Sequence, residues 1–288
     1  MLSYEEIEYV ADIFVSLGIE KIRLTGGEPM MRRDIETIIS KLSKLKPRLH
    51  DLALTTNGYF LPGRAQGLKD AGLDRITISI DSLKPETFKR MTGVDVIDKV
   101  LLGIDAAKCA GLAPIKINAV IVRGYNESEV VDFASFSREH DIQMRFIEFM
   151  PLDSGHEWSK EMIVSGKEIR AAIEERFSLV PIELPRGSET SARYRFEDGA
   201  PGEIGIIAPV TESFCGACSR IRLTADGQIR TCLFSTVEYS LRDVLRSNAT
   251  RAEIIDYISG VVWKKEPRHF INDPNFAQPA RTMSFIGG

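Results

Sequence analysis

The chain is poor in the residues that carry much of enzyme chemistry: 288 positions hold four cysteines, four histidines and two tryptophans. Four cysteines are too few for a disulfide-dense secreted scaffold. Four histidines leave little general-base chemistry, and no Ser-His-Asp order and no HExxH helix occur. GxGxxG is absent after the first strand-like run, which argues against a nicotinamide enzyme. Nowhere does an apolar run approach the ~20 residues of a bilayer span. The opening MLSYEEIEYVADIF is acidic where a secretory signal would be basic and then apolar. The expectation is a soluble, cytoplasmic protein without a membrane partner. A strong charge of one sign is missing too. With 37 Lys+Arg against 41 Asp+Glu the net charge is −4, so no global field gathers nucleic acid, and any polyanion site must be a local cluster.

What is present is globular: 43% hydrophobic and 27% charged residues exclude a disordered or collagen-like chain and suit one large domain, alone or with a smaller appendage. Apolar residues at helical spacing (Ile7, Val10, Ala11, Phe14; Ile35, Ile38, Ile39, Leu42, Leu45) alternate with short β-branched and aliphatic runs at 21–25, 51–55, 75–80, 115–121 and 144–149. Helices are expected around 32–46, 62–71, 84–92, 96–110 and 126–140. This alternation predicts βα units on a parallel sheet, open or closed into a barrel, with ligands at the carboxyl ends of the strands. Polar residues gather at those ends: ThrGlyGlyGluPro at 25–29, ThrThrAsnGly at 55–58, SerIleAspSer at 79–82, Lys116 with Asn118, and Arg145 with Glu148. From about Asp153 the pattern breaks. A helix at 166–176 precedes a Pro/Gly/Ser-rich stretch at 181–202, then short strands at 203–208, 219–224 and 228–232 and helices near 240–247 and 250–264. AspGly at 226–227 marks a hairpin. This reads as a small α+β appendage.

Three of the cysteines lie close in sequence: Cys215 and Cys218 form CxxC, and Cys232 follows after thirteen residues. Such grouping in a cytosolic chain reads as metal ligands before disulfides. On spacing alone a zinc site one ligand short, a [4Fe–4S] cluster with one open iron, and a redox pair all remain. Cys109, inside an apolar helix, reads as a buried small side chain. ThrGlyGlyGluPro reads first as a strand-to-helix turn, with the two glycines as an alternative seat for close ligand approach. Basic residues recur: Lys21 and Arg23 two apart on one strand, Arg220 and Arg222 two apart on another, with Lys116 and Arg145 on others. Convergence on one mouth would suit a polyphosphate or carboxylate.

Taken together, IRLTGGEPMMRRD at 22–34, LTTNG at 54–58, TISIDSL at 77–83, KIN at 116–118, RFIEFMP at 145–151, FCGACSRIRLTADGQIRTCLF at 214–234 and the closing GlyGly resemble the GTP 3′,8-cyclases of molybdenum cofactor biosynthesis, radical S-adenosylmethionine (SAM) enzymes. The resemblance implies a lyase-type radical cyclisation of GTP to (8S)-3′,8-cyclo-7,8-dihydroguanosine 5′-triphosphate. It implies a [4Fe–4S] cluster on Cys215, Cys218 and Cys232 whose open iron holds the purine. Gly27, Ser79 and Met150 match the S-adenosylmethionine site. Arg23, Thr55 and Lys116, with Arg220, Ile221 and Arg222, match GTP contacts, and Lys21 and Arg145 would hold the triphosphate. Arg145 and the tail residues Gly287 and Gly288 are its implied catalytic set. A reductant and a downstream cyclic pyranopterin monophosphate synthase are implied partners, and a homodimer is compatible with it.

The family also carries, upstream of the LSYEEI helix, the first barrel strand and a CxxxCxxC motif for the S-adenosylmethionine cluster; this sequence contains neither. The expectation is therefore an α/β fold: an incomplete radical SAM (β/α) barrel of TIM type missing its first strand over 1–152, then an α+β cluster-binding region over 153–288. A chain lacking the SAM-cluster ligands is expected to be inactive alone, with an unpaired edge on the strand at 21–25. The alternative is a non-catalytic GTP- and cluster-binding remnant or regulator.

Overall fold

A capping box starts the first helix, α1 (Tyr4–Ser16): the Ser3 hydroxyl accepts the Glu6 amide at 3.1 Å, and the Glu6 carboxylate accepts the Ser3 amide at 2.7 Å. The computed structural model describes residues 1–153, 155, 157–183 and 187–286. After α1 come β1 (Lys21–Leu24), α2 (Ile35–Ser43), β2 (Asp51–Thr56), α3 (Ala65–Asp70), β3 (Arg75–Ser79), α4 (Pro85–Thr92), α5 (Ile97–Cys109), β4 (Lys116–Ile121), α6 (Val130–His140) and β5 (Gln143–Glu148). The second half holds α7 (Gly166–Glu174), β6 (Leu179–Pro181), β7 (Ala192–Phe196), β8 (Glu203–Ile207), β9 (Arg222–Leu223), β10 (Gln228–Arg230), β11 (Tyr239–Ser240), α8 (Leu241–Leu245), α9 (Arg251–Val262) and α10 (Met283–Ile286). No helix among the described residues is long and apolar enough to cross a membrane.

One eight-stranded sheet runs β1-β2-β3-β4-β5-β8-β7-β6, parallel from β1 through β8 and antiparallel in its last two pairings. Its ends are β1 and β6, so the sheet is open, an incomplete barrel as expected. The period of two along each strand separates its faces. Leu52, Leu54, Ile76, Ile78, Ile117, Ala119, Met144, Phe146, Ile204 and Ile206 are buried in one core with Ile38, Ile39 and Leu42 of α2, Leu68 of α3, Ile104 of α5 and Phe133 of α6. The alternate residues of the same strands include Arg23, Arg75, Thr77, Lys116, Asn118 and Arg145, which makes the second face polar.

The break at 153 needs refinement. β8 pairs with β5 from Gln143↔Glu203 to Ile147↔Ile207, so the strand expected in the appendage extends the main sheet. The Pro/Gly/Ser-rich stretch contains β7, which the sequence reading missed. Its Arg193 pairs with Glu203 of β8 through Nη2 at 2.7 Å. The smaller sheet is β11-β10-β9, and AspGly at 226–227 forms the β9–β10 hairpin as expected, with Gly227 at φ 85°. A separate apolar cluster joins Val10 and Ile13 of α1 to Ile229, Leu241, Ile254, Ile258 and Val261. Ala11 and Val15 of α1 belong to the main core. One helix thus cements the two sheets. Cys109 is exposed, correcting the expectation of a buried thiol: it is the last residue of α5 and lies off that helix's buried stripe of Val100, Ile104 and Ala107.

A close backbone approach fixes α5 against the loop after β2. A Cβ on Gly103 would stand 2.5 Å from the Gly58 carbonyl oxygen and 3.2 Å from Leu61 Cβ. In an open helix Gly→Ala would stabilise by roughly 1 kcal/mol. Here overpacking against backbone prevails, and Gly103→Ala is expected to lower unfolding stability by about 1–3 kcal/mol. Equilibrium denaturant unfolding checks this; a more stable variant would contradict the close approach.

Candidate functional site

The polar face of the sheet is a field of cations. Parallel register aligns Arg23, Ala53 and Arg75 across β1–β3, Thr55, Thr77 and Lys116 across β2–β4, and Ser79, Asn118 and Arg145 across β3–β5. Arg23 reaches the hydroxyls of Thr55 and Thr77, each at 3.3 Å. Arg145 Nε donates to Asn118 Oδ1 at 2.8 Å. Arg75 is different: Nε and Nη2 bind Asp51 at 2.8 and 2.6 Å, a bidentate pair. Its remaining nitrogen, Nη1, is buried with no partner among the described residues. An unsatisfied buried donor costs about 1–3 kcal/mol.

Arg23, Lys116 and Arg145 therefore face one another without a bonded carboxylate among the described residues. Burial and mutual repulsion depress their pKa values. Burial, then the Arg75 charge, pushes Arg23 down to about 10. Burial, then Arg145 and Arg75, pushes Lys116 to about 8. Burial, then Arg23 and Arg75, pushes Arg145 to about 9. Arg23 keeps solvent access at the edge strand while many protein atoms surround it, so it lines a recess rather than a flat surface. Lys21 lies two residues before Arg23, exposed and in register with Asp51.

The cysteines flank this field. A short turn over Cys215–Ala217 carries the first two, with the Cys218 amide donating to the Cys215 carbonyl at 3.0 Å. Arg220 Nε and Nη2 both stand 3.3 Å from Cys218 Sγ. Burial opposes ionisation of Cys218, but the Arg220 hydrogen bonds and charge outweigh it and hold the thiol below its ordinary value. Burial pushes the Cys232 thiol up. Burial, then Arg220, holds Arg222 down at about 10, and the Cys232 and Cys218 charges oppose that. Arg220 in turn acts on Arg23, so cysteine site and cation recess share one electrostatic environment. Ile221 packs into the apolar cluster beside Leu223, leaving its backbone as the part available to a ligand.

Among the described residues no group of three or more His, Cys, Asp or Glu is disposed to hold a metal ion. One tetrahedral zinc with Zn–S bonds of about 2.3 Å would draw its sulfurs to roughly 3.8 Å. A multi-iron cluster binds thiolates at separate corners and tolerates a wider triangle. The donor set is three half-buried thiols, soft ligands suited to zinc or an iron–sulfur cluster, with Arg220 on Cys218 and the His269 amide 3.4 Å from Cys215 Sγ.

The expected S-adenosylmethionine residues lie at strand ends. Ser79 closes β3 and is exposed, and Met150 packs in a cluster that includes Leu152 and Cys232. Gly27 has the Ser284 carbonyl oxygen 3.8 Å from where its Cβ would be, so α10 lies over the GlyGly turn. That tail is held by Arg281, which binds Asp226 at 2.9 and 3.1 Å and Glu238 at 2.9 Å. Gly287 and Gly288 lie outside the described residues. Glu28 caps the Pro29–Met31 turn through the Met30 amide at 2.9 Å, as the turn reading expected. It also accepts the Thr56 hydroxyl and the Asn57 amide, each at 2.7 Å, tying the loops after β1 and β2 together.

Glu148 is not on the mouth with Arg145. It is fully buried on the helix-facing side and accepts the amides of Gly166, Val210 and Thr211 at 2.9, 2.9 and 3.0 Å, together with the Thr211 hydroxyl. Odd spacing from Arg145 is the signal that could have shown this. Sequence reading missed Arg75, which keeps even spacing with Thr77 and Ser79, so strand parity alone places it on the polar face. Asp81, in the SerIleAspSer segment already noted, follows the end of β3. Burial pushes Asp81 up to about 6, against the Val120 amide donating at 2.8 Å.

An open, mostly parallel sheet with a glycine-rich turn after its first strand, a polar face and a flanking cysteine trio defines an α/β protein with its site on one face of the sheet. The Radical SAM superfamily model matches residues 1–137 and the Molybdenum Cofactor Synthesis C model matches residues 142–271. The crystal structure of Streptococcus suis SuiB shares the fold, with TM-score 0.62 at 15% identity over 96% of this chain and 60% of that one. More specifically, the chain is 45% identical to the GTP 3′,8-cyclase of Corynebacterium glutamicum over 99% of its length and 77% of the relative's. It is also 45% identical to that of Streptomyces coelicolor over 100% and 84%. For the Mycolicibacterium smegmatis GTP 3′,8-cyclase the identity is 43% over 100% and 81%. The chain belongs to the GTP 3′,8-cyclase family.

The Arg220 contact yields a test on the metal-free protein. Arg220→Ala should move the Cys218 alkylation profile to higher pH, read as the rate of iodoacetamide modification with Cys109, Cys215 and Cys232 replaced by serine. An unmoved profile would show that Arg220 does not act on this thiol.

Proposed function

We propose that the chain binds GTP across the polar face, with the triphosphate on Lys21, Arg23, Lys116 and Arg145 and the purine toward Cys215, Cys218 and Cys232, as a radical SAM enzyme of molybdenum cofactor biosynthesis. The observation that carries this is the set of cations Arg23, Lys116 and Arg145, pressed to pKa values of about 10, 8 and 9 with no bonded carboxylate among the described residues. A triphosphate offers the opposing charge. Charge-assisted hydrogen bonds contribute about 1.5–3 kcal/mol each, so three or four suffice for micromolar binding. Lysine supplies point charges and arginine planar forks, which together suit a chain of phosphates.

When bound, S-adenosylmethionine and [4Fe–4S] groups supply the radical that opens the reaction and a Lewis-acidic iron for the purine. The residues of this chain position and shield. Cys215, Cys218 and Cys232 would hold the substrate-side cluster. Gly27, Ser79 and Met150 would seat S-adenosylmethionine beneath α10, whose approach to Gly27 restricts water on that side. Arg145, anchored to Asn118, would fix the phosphate end so that the ribose lies between the two groups. The tail carrying Gly287 and Gly288 would enter from Arg281. A reductant and a cyclic pyranopterin monophosphate synthase are the partners this reading requires.

Anaerobic reconstitution should give about four irons per chain, with GTP binding lost in Cys232→Ser. Iron near twice that amount, or stoichiometric zinc without iron, would overturn the cluster assignment.

Lys116 sets a pH dependence. Phosphate favours its charged form, so GTP binding should take up a proton and weaken as pH rises through about 8. For stability the sign differs: the folded chain holds this proton less tightly than the unfolded one. Lys116 therefore costs stability below pH 8, and that cost fades as pH climbs toward its ordinary 10.5. Calorimetry of GTP binding from about pH 7 to about pH 9, one unit either side of this pKa, checks the first point; affinity independent of pH would contradict it.

A further inference from the structure

Arg75 was not among the residues expected to bind substrate, yet it stands among them. It opens β3, two residues before Thr77 on the same face. Thr77 accepts from Arg23 and is in register with Lys116, so those two cations flank the position next to Arg75 on its own strand. Ala53, between Arg23 and Arg75 in the register, contributes only a methyl group to the space between them. The Arg75 charge acts on Arg23, Lys116 and Arg145 alike.

Its own hydrogen bonds divide cleanly. Nε and Nη2 are taken by Asp51 at 2.8 and 2.6 Å, and side-chain exposure is 17% for both partners. Nη1, with two N–H groups, is buried without a partner among the described residues. A purely structural ion pair gains nothing from leaving a guanidinium nitrogen unpaired beside other cations. A guanidinium fixed by a carboxylate on one edge and buried but unsatisfied on the other has hydrogen bonds left to give to an anion that enters beside it.

We propose that Arg75 is a further phosphate-binding residue of the recess, held in orientation by Asp51 so that Nη1 donates to a phosphate oxygen lying between Arg23 and Lys116. The inference rests on the triphosphate reading and adds to it both a contact and a positioning residue. Asp51 sets the direction of the fork; Arg75 makes the contact.

The test compares the anaerobically reconstituted full chain with Arg75→Gln, Arg75→Lys and Asp51→Asn by calorimetric titration with inorganic tripolyphosphate, GTP and guanosine. Arg75→Gln should weaken tripolyphosphate and GTP about ten- to a hundredfold, the range of a charge-assisted contact, and leave guanosine little changed. Arg75→Lys should recover part of the loss, since charge remains and the fork does not. Asp51→Asn should produce a smaller loss for both phosphates. Unchanged tripolyphosphate affinity in Arg75→Gln, or equal losses for guanosine and GTP, would overturn the proposal. If Arg75→Gln does not fold, Arg75→Lys decides: full wild-type affinity for tripolyphosphate refutes the fork contact, and a selective loss supports it. Failure of the unsubstituted chain to bind tripolyphosphate would overturn the recess reading itself. Wild-type binding with unchanged variants overturns only the role of Arg75.

Discussion

Like charges gathered on one face of a sheet, inside a protein of net negative charge, are the constraint on which this site depends. Burial first and neighbouring cations second depress Arg23, Lys116 and Arg145, and the hydroxyls and amide that hold the two arginines carry no charge. Other cations on the same sheet are neutralised within the fold: Arg75 by Asp51 and Arg193 by Glu203. The chain thus has the means to pair its arginines and leaves one group unpaired by carboxylates. Repulsion of that kind persists only because the opposite face is tightly packed. Leu54, Ile78, Ile117, Met144 and Phe146 are essentially inaccessible to solvent, so the strands cannot rotate to expose the cations without opening the core.

The second constraint is placement of the cysteines beside this face. Their hairpin belongs to the small sheet, and α1 binds that sheet to the main one through two apolar surfaces. Ion pairs reinforce the junction: Arg246 with Glu6 at 2.8 Å and Arg251 with Asp12 at 2.8 Å. Exposed pairs of this kind contribute little singly, roughly 0–1 kcal/mol, and the apolar contacts dominate. On the other side, Lys265 donates to the carbonyls of Arg220 and Thr231, fixing the segments that flank the hairpin, next to Cys218 and Cys232. Glu148 and Arg281 do the same for the loops: one gathers the start of α7 with residues 210–211, the other holds the tail across Asp226 and Glu238.

Much of this was legible in the sequence because strand and helix periods are local. The five βα strands, their helices and the AspGly hairpin appear where apolar spacing places them, and Lys21 and Arg23 share a face as spacing of two requires. What was missed depended on pairing between distant segments. β7, AlaArgTyrArgPhe, does alternate Ala192, Tyr194 and Phe196 with two arginines, but this short signal is hidden in a Gly- and Pro-rich stretch and becomes a strand through Ile204, Gly205 and Ile206 of β8. Glu148 looked like a site residue because it is charged and near Arg145, yet it is consumed by amides sixty residues downstream. Arg75 looked like the start of an ordinary strand, and its orphaned nitrogen emerges only once Asp51 is beside it. Cys109 was misplaced by counting an apolar neighbourhood rather than following the helix face.

The central claim is one of orientation: phosphates over the cations, purine toward the cysteines. Electron–nuclear double resonance on the reduced, reconstituted chain with bound GTP tests it most directly. The account predicts strong coupling of the cluster to a purine nitrogen and only weak coupling to phosphorus. Strong phosphorus coupling without a nitrogen signal would place the triphosphate at the cysteines and contradict it.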